Sequence, residues 1–219
     1  VTSQELLQKD IPLIASSDLV SYAFSVMEDF KVEHLPVEEN GNYIGLVSED
    51  DLLELDEKTN VKEGSSKLIR CFAQENQHIV EVFRIFSENG LSLLPVLDAE
   101  GSYLGCLLPK DLVMSLGDSL AFAYEGGIAV LKVHEKDFQM SQIAQIVESD
   151  DAKILASWVS ASEPPGELEV ALKINKTDLS RILQTFSRYD YSVLASFHKS
   201  DHSADIKHRY EAFMKYLNM

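Results

Sequence analysis

Apolar positions in the first half of the chain fall into two matching series. Leu19, Ala23, Val26, Met27 and Phe30 are spaced for one face of a helix, and Ile79, Val82, Phe83, Ile85 and Phe86 repeat that spacing further on. Each series is followed by a short apolar strand built on proline, Leu35-Pro36-Val37 and Leu94-Pro95-Val96. After a turn comes a second strand, Tyr43-Ile44-Gly45-Leu46-Val47 in one copy and Tyr103-Leu104-Gly105-Cys106-Leu107 in the other. Asn40-Gly41 in the first turn is a hairpin signal, because both residues tolerate positive φ. A short helix over about 49–55 follows, and a leading strand near 12–14 or 70–72 completes each unit. The predicted order is strand, helix, strand, strand, helix, used twice. The acidic, Gly/Ser-bearing stretch 56–67 reads as the linker between copies.

The copies stay in step. Pro36 and Pro95 are 59 residues apart, while Gly45 and Gly105, and Asp51 and Asp111, are each 60 apart. One extra residue in the second turn (Asp98-Ala99-Glu100-Gly101) accounts for the difference. Such a period marks one supersecondary unit duplicated. A unit this small buries its apolar face against its copy, so the pair is expected to fold as one body.

The second half has a different grammar. Strand-like runs at 128–133, 154–159, 168–174 and 192–197 alternate with two amphipathic helices, one marked by Ile143, Ile146 and Val147 and one over 178–189 by Leu179, Ile182, Leu183 and Phe186. Glu163-Pro164-Pro165-Gly166 punctuates the middle strands. The order βαββαβ is the ferredoxin-like arrangement.

Charge narrows the function. The chain of 219 residues has a formal net charge of −17, and residues 1–117 hold 8 Lys and Arg against 21 Asp and Glu. A nucleic-acid backbone needs clustered basic side chains, so nucleic acid is not an expected partner. No uninterrupted apolar run is long enough to span a bilayer and no signal peptide opens the sequence, which predicts a cytoplasmic protein without a membrane partner. Cys71 and Cys106 sit in apolar contexts with neither disulfide nor metal spacing. Phosphate loops, the dinucleotide glycine fingerprint and the Gly-x-Ser-x-Gly elbow are all absent from the sequence, so an enzyme is not expected.

The duplicated pattern of an apolar-Pro-Val strand, then Gly and two apolar residues, then Asp-Leu resembles the CBS domain. Two in tandem resemble a Bateman module, with expected domains at 1–58 and 59–117. The resemblance implies an adenine nucleotide in the cleft, with AMP, ADP, ATP or S-adenosylmethionine as ligand and no obligatory cofactor. It also implies that Ser48 contacts phosphate or ribose, that Asp51 and Asp111 hold ribose hydroxyls, and that His34, two residues before Pro36, faces the cleft. The second copy has Leu108 where the hydroxyl belongs, with Lys110 as a replacement positive charge. That difference makes the first site the expected tighter one.

The same residues carry structural alternatives. Ser48-Glu49-Asp50-Asp51 also spells a helix cap, and the two roles can coexist. Pro109 suits the first position of the second helix without a serine. A lone histidine such as His34 is more often a satisfied core or surface group than a ligand contact.

Residues 126–197 resemble an ACT-type domain. Amino-acid-binding members carry an Asp-x-Pro-Gly-like turn before the first helix, and this chain has Asp137-Phe138-Gln139 there. Phe138 would crowd a ligand, so oligomerisation is the expected use of this domain. The tail, 198–219, holds His198, Asp201, His202, Asp205 and His208 and an amphipathic helix over 204–217. It reads as a solvated tail rather than a metal site. The full order resembles the bacterial acetoin-utilisation protein B family. Together these features predict a homodimeric regulatory protein that senses an adenine nucleotide and acts on another protein. The alternative is a structural or partner-binding homodimer whose cleft is empty.

Overall fold

The computed structural model describes residues 1–198; the expected helix over 204–217, with Asp201, His202, Asp205 and His208, lies outside the described residues. The chain divides into two compact units, Val1–Leu116 and a second that begins at Gly117.

The first unit contains β1 (Ile14–Ala15), α1 (Val20–Phe30), β2 (His34–Glu39), β3 (Asn42–Ser48) and α2 (Glu49–Leu53). Their counterparts are β4 (Ala73–Gln74), α3 (Ile79–Asn89), β5 (Leu94–Leu97), β6 (Tyr103–Leu107) and α4 (Pro109–Gly117). Each copy forms a three-stranded sheet, β1-β2-β3 or β4-β5-β6, with the first pair parallel and the second antiparallel. Side chains of both copies share one core, among them Ile14, Val20, Leu35, Leu46 and Leu52 with Ala73, Val82, Leu94, Leu107 and Leu112. Leu19 and Phe30, expected on the buried face of α1, are 45% and 36% exposed; the face in contact with the core is Val20, Ala23, Val26 and Met27.

The leading strands lie two to three residues later than the sequence pattern suggests. Leu46 exchanges both backbone hydrogen bonds with Ile69, so it points away from β2. Pro36, opposite Leu46, therefore also turns its backbone away from β3, toward the edge where β1 must pair. Proline has no N–H to offer there. Pairing accordingly begins beyond it, at Ile14↔Val37, and by the same logic at Ala73↔Val96 beyond Pro95.

The copies are joined by exchange. Ile69, just ahead of the second copy, pairs with Leu46 in β3, while Gln8, just ahead of the first, pairs with Cys106 in β6. Tyr43 donates its hydroxyl to the Cys71 carbonyl (2.8 Å), and Tyr103 donates to the Ile11 carbonyl (3.0 Å). The motif glycines make room for this crossing. A Cβ at Gly45 would lie 2.9 Å from Leu68 Cβ, and one at Gly105 would lie 2.4 Å from the Gln8 carbonyl oxygen, with φ of +151° and +146°. Residues 56–67 are more than a linker. The Thr59 and Glu57 carbonyls accept from the Val20 and Ser21 N–H groups, satisfying donors that the first turn of α1 leaves open. Val61 is fully buried.

The second unit runs α5 (Leu120–Ala123), β7 (Gly127–His134), α6 (Met140–Glu148), β8 (Ile154–Ser162), β9 (Glu167–Ile174), α7 (Ser180–Arg188) and β10 (Ser192–Phe197). Its sheet has the order β10-β7-β9-β8 and is antiparallel throughout. Alternate residues Ala129, Leu131 and Val133 of β7, with Val170, Leu172 and Ile174 of β9, share a core with Ile143, Ile146, Val147, Ile182 and Phe186 of the helices. Phe138 is half-buried against this core and fills the turn before α6.

Candidate functional site

A cavity of about 520 Å³ opens in the first unit, lined by Glu33, His34, Ser48, Glu49, Asp50, Ile69 and Gly90. Both copies build it. The register of β2 and β3 sets His34 opposite Ser48. Ile69 arrives by the crossing segment that pairs with Leu46, and Gly90 is the left-handed cap that ends α3.

His34 is 8% exposed. Its Nδ1 lies 3.0 Å from Ser92 Oγ and accepts from the Ser92 N–H at 3.3 Å, while the Glu33 N–H donates to that same Oγ at 2.9 Å. A backbone N–H aimed at Nδ1 leaves that nitrogen unprotonated, which puts the ring proton on Nε2. Burial pushes the imidazole below the usual histidine range, opposed in part by Glu33, Asp50 and Asp51. His34 is thus a neutral donor at neutral pH, tied across the two copies by Ser92.

Ser48 is the cap that its spelling suggested. Its Oγ accepts from the Asp51 N–H (3.1 Å) and donates to Asp51 Oδ2 (2.6 Å). The other carboxylate oxygen of Asp51 lies 3.5 Å from Lys67 Nζ, and Lys67 also pairs with Glu54. The second copy is arranged differently. Leu108 is buried, Lys110 is exposed in the first turn of α4, and Asp111 Oδ2 accepts from Gln8 Nε2 at 3.1 Å. Neither Lys110 nor Asp111 lines the cavity; the structure brings together His34, Ser48 and, through the cap, Asp51.

Sequence reasoning did not single out Glu33, Ile69, Gly90, Ser92 or Gln8. The internal repeat held the signal for three of them. Ile69 and Gln8 hold equivalent places beside β3 and β6, as do Gly90 and Lys31 at the ends of α3 and α1. Burial pushes the Cys106 thiol up to about 12 and raises that of Cys71, so neither is a ready nucleophile near neutral pH. Among the described residues, no group of three or more His, Cys, Asp or Glu side chains is placed to hold a metal ion, and no helix is long and apolar enough to cross a membrane.

Comparison with known proteins agrees with this geometry. The CBS domain family profile matches residues 4–58 and 69–118. Inosine-5'-monophosphate dehydrogenase of Methanocaldococcus jannaschii is 27% identical over 113 residues, which are 51% of this chain and 23% of that protein. An uncharacterized protein of the same organism is 27% identical over 116 residues, 52% of this chain and 44% of its own length. The chain thus spans less than half of the curated relatives it matches. The crystal structure of a CBS domain pair/ACT domain protein from Thermotoga maritima is 26% identical, with a TM-score of 0.50, over 55% of this chain and 99% of that one. Shared sequence, matched fold and the pairing of each leading segment with the other copy lead to one conclusion: residues 4–58 and 69–118 of this chain are a tandem pair of CBS domains.

Proposed function

We propose that this chain is a cytoplasmic regulatory protein that senses an adenine nucleotide in the cleft of its CBS pair and relays occupancy, through a dimer, to a partner protein. The observation that carries this reading is the cavity of about 520 Å³, which falls within the range of small-molecule sites. Ile69 offers an apolar wall for a purine, His34 a fixed N–H donor, and Asp51 a carboxylate of the kind that accepts from a ribose diol. Because His34 is hydrogen-bonded to Ser92, a ligand against its ring touches both copies at once, which is what a relay needs.

The βαββαβ unit is read as an ACT-type domain that serves oligomerisation, and the order of the parts is that of the acetoin-utilisation protein B family. A second reading has its own support: Ser48 and Asp51 already satisfy one another, as in a structural cap with an empty cleft. Equilibrium binding with AMP, ADP, ATP and S-adenosylmethionine separates the two. Saturable binding of one of these ligands that is weakened by Asp51→Ala supports the sensor. No binding by any of the four supports the structural dimer.

A further inference from the structure

The walls of the cavity are one-sided in charge. Glu33, Glu49 and Asp50 line it, and among the described residues no lysine or arginine does. His34 is the group that would have to meet an anion, yet Ser92 holds it as a neutral donor. Its Nε2 has no partner among the described residues, although the residue is more than nine-tenths buried. Protonating it would place a second hydrogen against the Ser92 N–H, which is aimed at Nδ1. The charged groups around the ring are Glu33 beside it and Asp50 and Asp51 on α2; Ser92 from the second copy and Ile69 are uncharged.

The duplication supplies an internal comparison. At the equivalent positions of the second copy, Ser92 stands for Glu33, Pro109 for Glu49 and Lys110 for Asp50. Lys31, a left-handed helix cap like Gly90, takes that glycine's place. The three carboxylates of the cleft therefore belong to the first copy and not to the repeat as such. Exposed charges are worth little one at a time, but several of one sign in a partly dry cleft add up.

We propose that this cleft takes an adenosine moiety that is neutral or cationic and carries no phosphate. The assignment rests on the nucleotide-sensing reading above and narrows it. In this cleft the ligand offers what the walls lack. Its exocyclic amine and ribose hydroxyls are donors for carboxylates, and a ring nitrogen is an acceptor for His34 Nε2. A 5′ phosphate would stand against three carboxylates, whereas a 5′ sulfonium would be attracted.

Calorimetry on the full chain with adenosine, S-adenosylmethionine, AMP and magnesium-ATP tests this. One double variant at exposed positions, Glu49→Gln with Asp50→Asn, removes two of the three carboxylates that line the cavity. The unaltered chain should bind adenosine and S-adenosylmethionine more tightly than AMP or magnesium-ATP, by roughly tenfold. The double neutralisation should weaken S-adenosylmethionine by roughly tenfold, weaken adenosine less, and let AMP compete with adenosine. AMP that binds the unaltered chain as tightly as adenosine and is lost in Asp51→Ala overturns the assignment while the sensor reading stands. Absence of binding by all four ligands overturns both.

Discussion

Replacing Gly105 with alanine isolates the exchange of segments that makes the two copies one body. The new Cβ would sit 2.4 Å from the Gln8 carbonyl oxygen and 3.1 Å from the Leu7 side chain. The near neighbour is backbone, so the segment ahead of the first copy must lift from β6. That breaks the two Gln8–Cys106 backbone hydrogen bonds and disturbs the Gln8–Asp111 contact. The backbone bonds contribute about 1 kcal/mol each, and a side chain at φ +146° adds about 1–3 kcal/mol of strain. The expected cost is therefore about 3–5 kcal/mol. Gly101→Ala is the control, with φ +87° and nothing within 4 Å of the added carbon, so only about 1–2 kcal/mol of left-handed strain applies. Urea denaturation of both variants measures the difference. Hydrogen exchange at the Gln8 and Cys106 amides locates it. Equal costs for the two glycines, with both amides still protected in Gly105→Ala, would refute the argument.

Three further outcomes follow from the same geometry. An unfolded histidine titrates near ~6.5 and buried His34 titrates lower, so on acidification the unfolded chain binds the proton first. Stability that is complete above that value is lost as pH falls below it toward the folded pKa. His34→Gln should flatten this part of the profile between about pH 7.5 and about pH 5 in thermal melts, and a slope equal to wild type would contradict the role given to Ser92. The second unit should bind no free amino acid, because Phe138 fills its turn; a saturable shift with any of the common amino acids in a thermal-shift panel would count against this. The chain should be a dimer or larger by light scattering, since among the described residues β8 and β10 are unpaired sheet edges and β8 exposes Trp158 and Val159; a monomer mass across micromolar concentrations would remove the relay.

Much of this architecture was legible because apolar spacing reports burial directly. The β2–β3 and β5–β6 hairpins, the helices α1 and α3 and the βαββαβ order of the second half all follow from it. Short leading strands were not, since two residues carry no periodicity and Pro36 and Pro95 decide where pairing begins. The stretch 56–67 looked like a linker because its composition is polar, but its carbonyls act as a cap, and backbone acceptors leave no trace in residue type. At the site, Ser48 and Asp51 were readable as a pair, and the structure shows them bonded to each other as a cap. The hold of Ser92 on His34 joins residues 58 apart, and Gln8 lies 103 from Asp111, so neither follows from local pattern. The repeat itself held the comparison between the copies, because aligning Asp50 with Lys110 needs only the 60-residue period.

The account centres on an adenosine moiety seated between the two copies. A crystal structure of the full chain grown with saturating adenosine or S-adenosylmethionine tests that most directly. The predicted result is density for a purine against Ile69, a ring nitrogen on His34 Nε2 and the ribose at Asp51. Ligand density elsewhere, or an empty cleft at a concentration that raises the melting temperature, would contradict it.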